Sequence, residues 1–342
     1  MNVTVIGGGA MGLYFAAMLR RAGHGVTVVG RADTVAAAAD PLILDHGGVE
    51  ISVPGVRAVT AIPADAEPAD LIVVTVKAWQ VVEVAPMLRS IVGPRTAVLP
   101  VQNGVEAGAD LAEVLGARHV LGCTCVVIAQ RVGPWHVRCL GAHATVEIGA
   151  LVRDSEADGH RSVPGTRPRS AAALAPDLVD SVAAMLSEAG IGVMRSADIQ
   201  ATLWRKLMLI ASYGGVGALA RQPVGVTRAQ PETVELIRAG MREVVAVAQA
   251  HGIALGESDI DQIIGVYLGF SSDTTSSMQR DLAAGRPSEL EYQNGAVVRF
   301  GRAAGVPTPV HDTIYAALLP GESLARQQQA SNGQGRGAGG SA

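Results

Sequence analysis

The sequence predicts an α/β domain built on a parallel β-sheet, followed by an all-α domain. Over residues 1–195, short apolar runs rich in β-branched residues alternate with stretches of helical periodicity, which is typical of β-α-β units. A glycine-rich turn separates the first of these runs from the first helix. From Ala197 onward, apolar residues recur at helical spacing in nearly every segment, which predicts a helical second domain.

The N-terminal stretch has the order strand, glycine-rich turn, helix, strand. Val3–Ile6 and Val26–Val29 are the predicted strands, and the helix between them ends at Gly23. The turn has the spacing G-x-G-x-x-G, whose glycines permit a tight turn, close approach of a pyrophosphate and close packing of helix on strand. The free N–H groups at the helix N-terminus favour the bound anion. This pattern predicts a Rossmann-type dinucleotide site, formed by Gly7, Gly9, Ala10, Met11 and Gly12.

The residue that follows the second strand indicates which dinucleotide binds. Enzymes that use NAD usually have Asp or Glu there, which binds the ribose hydroxyls. This chain has Gly30 and Arg31 instead, and a guanidinium suits the 2′-phosphate of NADP. We therefore predict NADP (NADPH) as the cofactor, with Arg31 at its phosphate. The nearby Asp33 leaves NAD open, and a solvated surface charge is the alternative interpretation of Arg31.

The composition limits the classes of protein to which the chain can belong. Its 342 residues are enough for two domains, and 49% hydrophobic but only 3% aromatic residues predict an aliphatic core. The formal net charge of −4 argues against a general nucleic-acid or membrane-surface binder. No apolar run is long enough to cross a bilayer, and the chain opens on a core strand instead of a signal peptide. We expect a cytoplasmic protein that acts on a small molecule.

The three cysteines are Cys123, Cys125 and Cys139, too few for a disulfide framework. His119 lies close to two of them, which raises the question of a metal site. This histidine and both cysteines fall in one apolar run, and no fourth ligand or standard zinc spacing accompanies them. Buried strand cysteines are the favoured interpretation, and we predict no metal.

Polar residues follow two further predicted strands. Lys77 comes directly after the apolar run 71–76, and Asn103 follows the run 97–101. Ligands of open α/β sheets bind beyond the carboxyl ends of the strands. Lys77 is therefore a candidate for the cofactor phosphate or ribose, and Asn103 for the substrate carboxylate or the nicotinamide ribose. A solvated lysine and an ordinary Asn-Gly turn are the structural alternatives.

The remaining patterns set the expected limits of the domains. Apolar runs near residues 120–128 and 144–148 predict strands that complete the sheet, and a polar stretch after them predicts a long surface loop. The last residues are low in apolar side chains, which predicts disorder. The expected ranges are 1–195 for the nucleotide-binding domain, 151–170 for the loop within it, 196–320 for the helical domain and 321–342 for the tail.

Two charged residues of the helical half stand out. Lys206 lies within the apolar helical run 203–211, so its side chain either extends to water or is held for chemistry. Further on, Ser288 and Glu291 have the Ser-x-x-Glu spacing of a capping box, which predicts the start of a helix. That interpretation leaves Glu289 without a structural role.

Together these motifs resemble those of the ketopantoate reductase (2-dehydropantoate 2-reductase) family. The matching segments follow the family's order over about residues 1–318. They are Gly7–Gly12, Arg31, Val76–Gln80, Gln102–Gly104, Trp204–Lys206, Ser276–Met278 and Glu289–Gly295. The resemblance implies a Rossmann domain and an all-helical domain, of the 6-phosphogluconate dehydrogenase-like type, with the active site in the cleft between them.

The resemblance also implies a role for individual residues. Lys206 would be the general acid, and Glu289 would hold and orient it. Ser277 would bind the substrate. Asn103 would lie between the nicotinamide ribose and the substrate, and Lys77 would face the cofactor.

The implied reaction is chemically coherent. Reduction of a ketone needs a hydride on carbon and a proton on the developing alkoxide, and a lysine ammonium supplies both the proton and a stabilising charge. Partial burial lowers the pKa of a lysine toward the working pH, while a neighbouring carboxylate keeps the ammonium in position. We therefore expect an NADPH-dependent reductase that converts a 2-keto acid of the ketopantoate type to the 2-hydroxy acid, with the proton from Lys206.

One departure from the family pattern concerns the substrate. Family members have asparagines four and eight residues after the lysine, on its own helix face, where this chain has Ile210 and Gly214. Tyr213 lies on roughly the same face and is a further candidate for substrate contact. Loss of two amide partners favours a less polar substrate than ketopantoate.

Two alternative functions therefore stay open. One is a reductase or dehydrogenase of a different, less polar ketone, hydroxy acid or imine on the same scaffold. The other is a non-catalytic NADP-binding protein, which the presence of both Lys206 and Glu289 argues against. The apolar stripes of the helical half also suggest a homodimer.

Overall fold

The computed structural model describes residues 1–38, 40–151 and 176–337. The chain divides into two compact units, Met1–Leu203 and Trp204–Ala342, here called unit 1 and unit 2. The predicted domain limit after residue 195 lies shortly before this boundary and stays a prediction. Apart from Leu151, the predicted loop 151–170 lies outside the described residues.

Unit 1 contains a parallel five-stranded sheet with the order β5-β2-β1-β6-β7. The central strand is buried on both sides, and its register pairs Val3 with Val26 on one neighbour and with Leu71 on the other. This sheet confirms the predicted Rossmann-type fold. The strands of unit 1 are β1 (Asn2–Ile6), β2 (Gly25–Val29), β3 (Leu42–His46), β4 (Val49–Val53), β5 (Val56–Val59), β6 (Leu71–Val74), β7 (Ala97–Pro100), β8 (Leu121–Gly133), β9 (His136–Ala150) and β10 (Gly192–Arg195).

The other strands form a second sheet, with the order β10-β9-β3-β4 and β8 paired to β9. The prediction that the runs 120–128 and 144–148 complete the parallel sheet is therefore wrong. The chain turns back after Gly133, so β8 finds an antiparallel partner in β9, next to it in sequence. An isolated bridge between Val98 and Val120 joins the start of this hairpin to the region of β7. An apolar run specifies a strand but does not specify its neighbour.

Helix α1 fills the core of unit 1. Its residues Leu13–Leu19 are buried and belong to one apolar cluster that contains residues of both sheets. The Tyr14 hydroxyl accepts a hydrogen bond from the Ala144 N–H at 3.1 Å, and burial raises the pKa of Tyr14 to about 12. The helix therefore connects the nucleotide-binding sheet to the second sheet. The helices of this unit are α1 (Ala10–Arg21), α2 (Ala32–Ala36), α3 (Val81–Leu88), α4 (Ala107–Leu115) and α5 (Pro176–Glu188).

Unit 2 is helical over its described residues, as predicted. Trp204 is fully buried, and its ring packs against His251 and Phe300 with centroid separations of 6.2 and 5.7 Å. The first helix, α6, begins at the end of unit 1. The helices are α6 (Ile199–Ala220), α7 (Val224–Thr227), α8 (Pro231–Ala250), α9 (Glu257–Gly269), α10 (Ser277–Ala283), α11 (Asn294–Ala304) and α12 (Pro309–Gly337).

Helix α12 contradicts two predictions, the disorder of the C-terminal tail and the capping box at Ser288. It continues to Gly337, so the expected disorder of residues 321–342 is wrong for 321–337, and 338–342 lie outside the described residues. Glu322 on this helix is 3% exposed and accepts hydrogen bonds from the Ser288 N–H (2.9 Å) and hydroxyl (2.6 Å). The predicted capping box is therefore wrong, because Glu291 pairs with Arg299 and accepts from the Tyr315 hydroxyl instead.

Candidate cofactor-binding and active site

The glycine-rich turn between β1 and α1 is fixed by steric constraints. Gly7 has φ +112°, and a Cβ atom at Gly12 would lie 1.8 Å from the Gly7 carbonyl oxygen. A Cβ at Gly9, in contrast, would meet no atom of the protein within 4 Å. Gly12 is thus needed for the packing of α1 on β1, whereas Gly9 leaves open space on the outer side of the turn. That difference fits a turn that a ligand approaches closely at Gly9.

The N-terminus of α1 is available for an anion. Its N-cap is Gly9, no side chain caps it, and no acidic residue lies in its first turn. Free N–H groups and the positive end of the helix dipole therefore face the outer side of the turn. These features fit a dinucleotide pyrophosphate, with Ala10 and Met11 supplying backbone N–H groups.

Thr75 is a part of this turn that sequence patterns did not identify. Its hydroxyl lies 2.9 Å from the Ile6 carbonyl oxygen and 3.0 Å from that of Gly7. Thr75 follows β6, and the pairing of β6 with β1 places it beside the first glycine. The hydroxyl holds the turn in place. The register between two distant strands determines this contact, and no local motif contains it.

Lys77 and Asn103 lie at the same edge of the parallel sheet as the glycine turn. β6 and β7 are parallel neighbours, with Val74 paired to Pro100, so both strands end at this edge. The amide of Gln102 donates to the carbonyl oxygens of Val74 (2.9 Å) and Val76 (2.8 Å) and so ties the two strand ends together.

The side chains at these two strand ends differ in their surroundings. Lys77 is half-buried, with its Nζ 5.8 Å from the centre of the Trp79 ring, and Asn103 is half-buried as well. The sheet thus brings both predicted cofactor residues to the edge at which the turn opens.

Two arginines lie near the end of β2. The Arg31 side chain is 77% exposed, and its Nε lies 3.7 Å from Asp33 Oδ1. Arg131, which no sequence pattern indicated, extends from β8 and places Nη1 3.4 Å from Thr34 Oγ1. Desolvation opposes ionisation of Asp33, but the hydrogen bond from the Thr34 N–H and the charges of Arg31 and Arg131 lower its pKa overall.

The predicted catalytic residues belong to unit 2. Lys206 is half-buried on α6, and Glu289 is 7% exposed, directly before a 3-10 turn at Leu290–Tyr292. Arg205, next to the lysine, is paired with Asp259 at 2.6 Å. A buried carboxylate such as that of Glu289 is costly without a cation or hydrogen-bond donors.

The predicted substrate residues lie on two elements. Ser277 is half-buried and is the first residue of α10. Tyr213 is 9% exposed and packs on α6 against Phe270 and Tyr267, with ring centroids 5.4 and 6.1 Å away. Burial raises the pKa of Tyr213. Its ring is therefore part of an aromatic cluster.

The glycines of α6 allow close packing of α10. A Cβ at Gly214 would lie 2.8 Å from Ser276 Oγ and 3.1 Å from Ser276 Cβ. Ser276 cannot easily move, because its hydroxyl caps α10 by accepting from the Gln279 N–H at 3.0 Å. The space for a side chain at residue 214 is thus occupied by Ser276, and an asparagine would not fit there.

No group of three His, Cys, Asp or Glu residues in the described part of the chain is arranged to hold a metal ion. Cys123, Cys125 and Cys139 are buried cysteines that are not in disulfides, and the His119 Nδ1 lies 3.0 Å from the Thr96 carbonyl oxygen. Among the described helices, none combines the length and the apolar character needed to cross a membrane.

Taken together, the fold and the glycine turn define a protein with a Rossmann-type N-terminal unit and a helical C-terminal unit. The chain belongs to the ketopantoate reductase family, a family of oxidoreductases that act on CH–OH groups. The family model "Ketopantoate reductase PanE/ApbA" matches residues 3–153, and "Ketopantoate reductase PanE/ApbA C terminal" matches residues 198–322. The resemblance inferred from the motifs is confirmed.

Known proteins match over nearly the whole chain. The 2-dehydropantoate 2-reductase of Caulobacter vibrioides is 30% identical over 318 residues, covering 93% of this chain and 98% of its own. The crystal structure of a PanE/ApbA family ketopantoate reductase from Ralstonia eutropha JMP134 is 28% identical, with a TM-score of 0.78 and coverages of 95% and 100%. The 2-dehydropantoate 2-reductase of Geobacter metallireducens GS-15 is 26% identical, with a TM-score of 0.79 and coverages of 94% and 99%.

Proposed function

We propose that this protein is an NADPH-dependent reductase that converts a 2-keto acid of the ketopantoate type to the 2-hydroxy acid. The observation that supports this best is the full-length similarity to 2-dehydropantoate 2-reductases in a chain whose glycine turn and α1 N-terminus suit a dinucleotide. The ligand is a small carbonyl compound.

The cofactor residues of the proposal are all in unit 1. Gly7, Gly9 and Gly12 shape the turn, and the N–H groups of Ala10 and Met11 bind the pyrophosphate. Arg31 binds the 2′-phosphate, Lys77 faces the cofactor, and Asn103 lies between the nicotinamide ribose and the substrate. When bound, the nicotinamide supplies the hydride.

Lys206 donates the proton from its Nζ to the oxygen of the substrate, and Glu289 positions the ammonium. The composition supports this assignment, because the chain has 27 Lys and Arg residues but only two lysines, Lys77 and Lys206. A guanidinium cannot act as a proton donor at ordinary pH, whereas an ammonium can. Apart from Lys77, Lys206 is therefore the one lysine of the sequence that can supply a transferable proton.

Arg205, the cation next to Lys206, is not a candidate for the general acid. Arg205 is held by Asp259 at 2.6 Å, and this pair accounts for its position on α6. Glu289, at 7% exposure, is more deeply buried than an ordinary surface carboxylate, which suits a residue that orients an ammonium. Ser277 and Tyr213 complete the proposal as substrate-contacting residues.

A second candidate function is a reductase of a less polar ketone, hydroxy acid or imine on the same scaffold. The contact of Ser276 with Gly214 favours it, because no amide side chain fits at that position. Ile210, half-buried on the same helix, presents an apolar group in place of the family's other amide. Both changes reduce the number of partners for a substrate hydroxyl and carboxylate.

A substrate panel tests the proposal. Ketopantoate, straight-chain, branched and aromatic 2-keto acids, and simple ketones are incubated with NADPH or NADH, and oxidation of the nicotinamide is followed by its absorbance. Turnover of 2-keto acids with NADPH is the expected result. Turnover confined to neutral ketones or imines would favour the second function, and no turnover with any carbonyl would favour a non-catalytic protein. Sedimentation velocity tests the expected homodimer.

A further inference from the structure

Arg131 approaches the nucleotide-binding turn from a different sheet. It lies near the end of β8, and its Nη1 is 3.4 Å from Thr34 Oγ1 and 3.5 Å from the Gly8 carbonyl oxygen. The Nε atom donates to the Gly133 carbonyl oxygen at 3.1 Å, which anchors the side chain at the turn of its own hairpin. The guanidinium is thus held beside the glycine turn by the fold of the second sheet.

Thr34 places this guanidinium where the second strand of the parallel sheet ends. Its side chain is 2% exposed and lies against the turn, since a Cβ at Gly8 would come within 2.5 Å of Thr34 Cγ2. A Cβ at Gly30 would lie 3.4 Å from the same atom. Thr34 therefore joins the glycine turn to the end of β2, and Arg131 lies against this junction. In a Rossmann-type site the adenosine ribose binds at the end of β2.

The charge balance at this junction needs Arg131. Asp33 accepts a hydrogen bond from the Thr34 N–H at 2.8 Å and lies 3.7 Å from Arg31 Nε. One carboxylate thus offsets one guanidinium, and the Arg31 side chain is 77% exposed, where solvent screens its charge. A phosphate monoester carries between about 1.5 and 2 negative charges at neutral pH. The second guanidinium supplies the positive charge that the pair of Arg31 and Asp33 lacks.

We propose that Arg131 binds the 2′-phosphate of NADPH together with Arg31 and so determines the preference for NADP(H) over NAD(H). This inference rests on the proposed function for the identity of the cofactor, but not for the substrate. The planar guanidinium offers paired N–H donors that match phosphate oxygens. Because Arg131 belongs to β8, the preference depends on the second sheet as well as on the residue after β2.

The test compares the binding of three ligands, without any turnover. Dissociation constants of NADPH, NADH and adenosine 2′-phosphate are measured by isothermal titration calorimetry for the wild type and for Arg131→Ala. We expect NADPH and adenosine 2′-phosphate to bind about tenfold more weakly to the variant, which corresponds to about 1.4 kcal/mol. Binding of NADH should change less than about twofold. Arg131→Lys should recover part of the lost NADPH affinity, since it keeps the positive charge but not the paired N–H donors of the guanidinium.

A matched control removes an arginine from the other end of the same unit. Arg95 precedes β7, at the amino edge of the parallel sheet, and is 80% exposed. Arg95→Ala should leave all three dissociation constants unchanged. Because Arg131 is exposed, Arg131→Ala should keep the melting temperature of the wild type.

The outcomes separate this inference from the proposed function. Equal weakening of NADPH and NADH in Arg131→Ala would show that the guanidinium supports only the turn, and unchanged affinities would show that it is an ordinary surface charge. Either result overturns the inference alone. A wild-type protein that binds neither dinucleotide, or that prefers NADH, contradicts the proposed cofactor itself.

Discussion

At the scale of single residues, the substrate preference depends on the helix face that follows Lys206. Gly214 cannot hold a larger side chain, because Ser276 occupies that space, but Ile210 is half-buried and can be exchanged. A larger side chain is thus excluded at residue 214 but tolerated at residue 210. Only residue 210 offers a direct test of whether a lost amide limits the use of a polar substrate.

Ile210→Asn should lower the KM for ketopantoate by about tenfold, because a polar site with an added amide partner discriminates in favour of the hydroxylated substrate. Steady-state kinetics with a range of ketopantoate concentrations measure this effect. The matched control is Leu209→Asn, the same substitution at the neighbouring half-buried residue, which should not lower the KM. An unchanged KM in Ile210→Asn would show that residue 210 does not contact the substrate.

At the scale of elements, different glycines of the turn before helix α1 serve packing and ligand binding. Gly12→Ala should prevent correct folding of unit 1, since its Cβ would lie 1.8 Å from the Gly7 carbonyl oxygen. Gly9→Ala should keep the melting temperature, since its Cβ would meet no protein atom within 4 Å. This substitution should nevertheless weaken the binding of NADPH and of NADH by at least about tenfold each, because the methyl group would displace the pyrophosphate.

Thermal unfolding and calorimetric titration of these two variants distinguish the effects. A Gly9→Ala variant that binds both dinucleotides with wild-type affinity would show that the pyrophosphate does not lie against this turn. The result also contrasts with that expected for Arg131→Ala, in which NADPH alone should bind more weakly.

Helix α12 depends on one buried carboxylate. Glu322 accepts from the Ser288 N–H and hydroxyl and pairs with Arg326 at 2.7 Å, so its removal leaves donors unpaired in a buried site. Glu322→Ala should lower the free energy of unfolding of the helical unit by about 3 kcal/mol. Urea denaturation measures this change. Gln328→Ala, at an exposed position of the same helix, should change it by less than about 0.5 kcal/mol, and an equal effect of both would contradict the account.

Local steric rules explain which elements the sequence predicted. The turn at Gly7–Gly12 and the ends of β1 and β2 follow from short-range constraints on backbone and helix packing. These elements could therefore be predicted from the sequence alone. β3, β5 and α4 have no counterpart among the predicted elements, because Asp45, Arg57 and Gly108 interrupt their short apolar patterns. Low apolar content predicted disorder after residue 320, but the buried contact of Glu322 with Ser288 fixes the beginning of that stretch within α12.

Contacts between distant segments explain the parts of the site that the sequence did not predict. Thr75 reaches the turn through the register of β1 and β6, and Arg131 reaches it from the second sheet. The contact of Ser276 with Gly214 likewise joins separate helices. Which side chains lie next to the motif residues thus depends on tertiary packing.

At the scale of the whole molecule, a buried histidine makes stability depend on pH. His311 is fully buried between Asn294 and the Gly240 carbonyl oxygen, and burial lowers its pKa from 6.5 to about 4. Between these values the unfolded chain binds a proton that the folded chain does not, so stability falls as the pH decreases. The loss should reach about 3 kcal/mol near the lower value.

Urea unfolding followed by far-ultraviolet circular dichroism, to which the helical unit contributes strongly, measures this dependence. His311→Gln should be less stable at neutral pH, but its stability should change less over the same pH interval. Equal pH dependence in the wild type and the variant would show that another group is responsible.

The reaction itself requires a transferable proton, and the chain's two lysines allow a matched test of its source. Lys206→Arg and Lys77→Arg make the same substitution, and kcat with NADPH and the best 2-keto acid is measured for both, together with the dissociation constant of NADPH. A guanidinium keeps the charge but does not give up a proton, so Lys206→Arg should lower kcat by at least about a hundredfold with NADPH binding intact. Lys77→Arg should keep kcat within about threefold, because a cofactor contact needs only a cation. Wild-type kcat in Lys206→Arg would contradict the assignment of Lys206 as the acid.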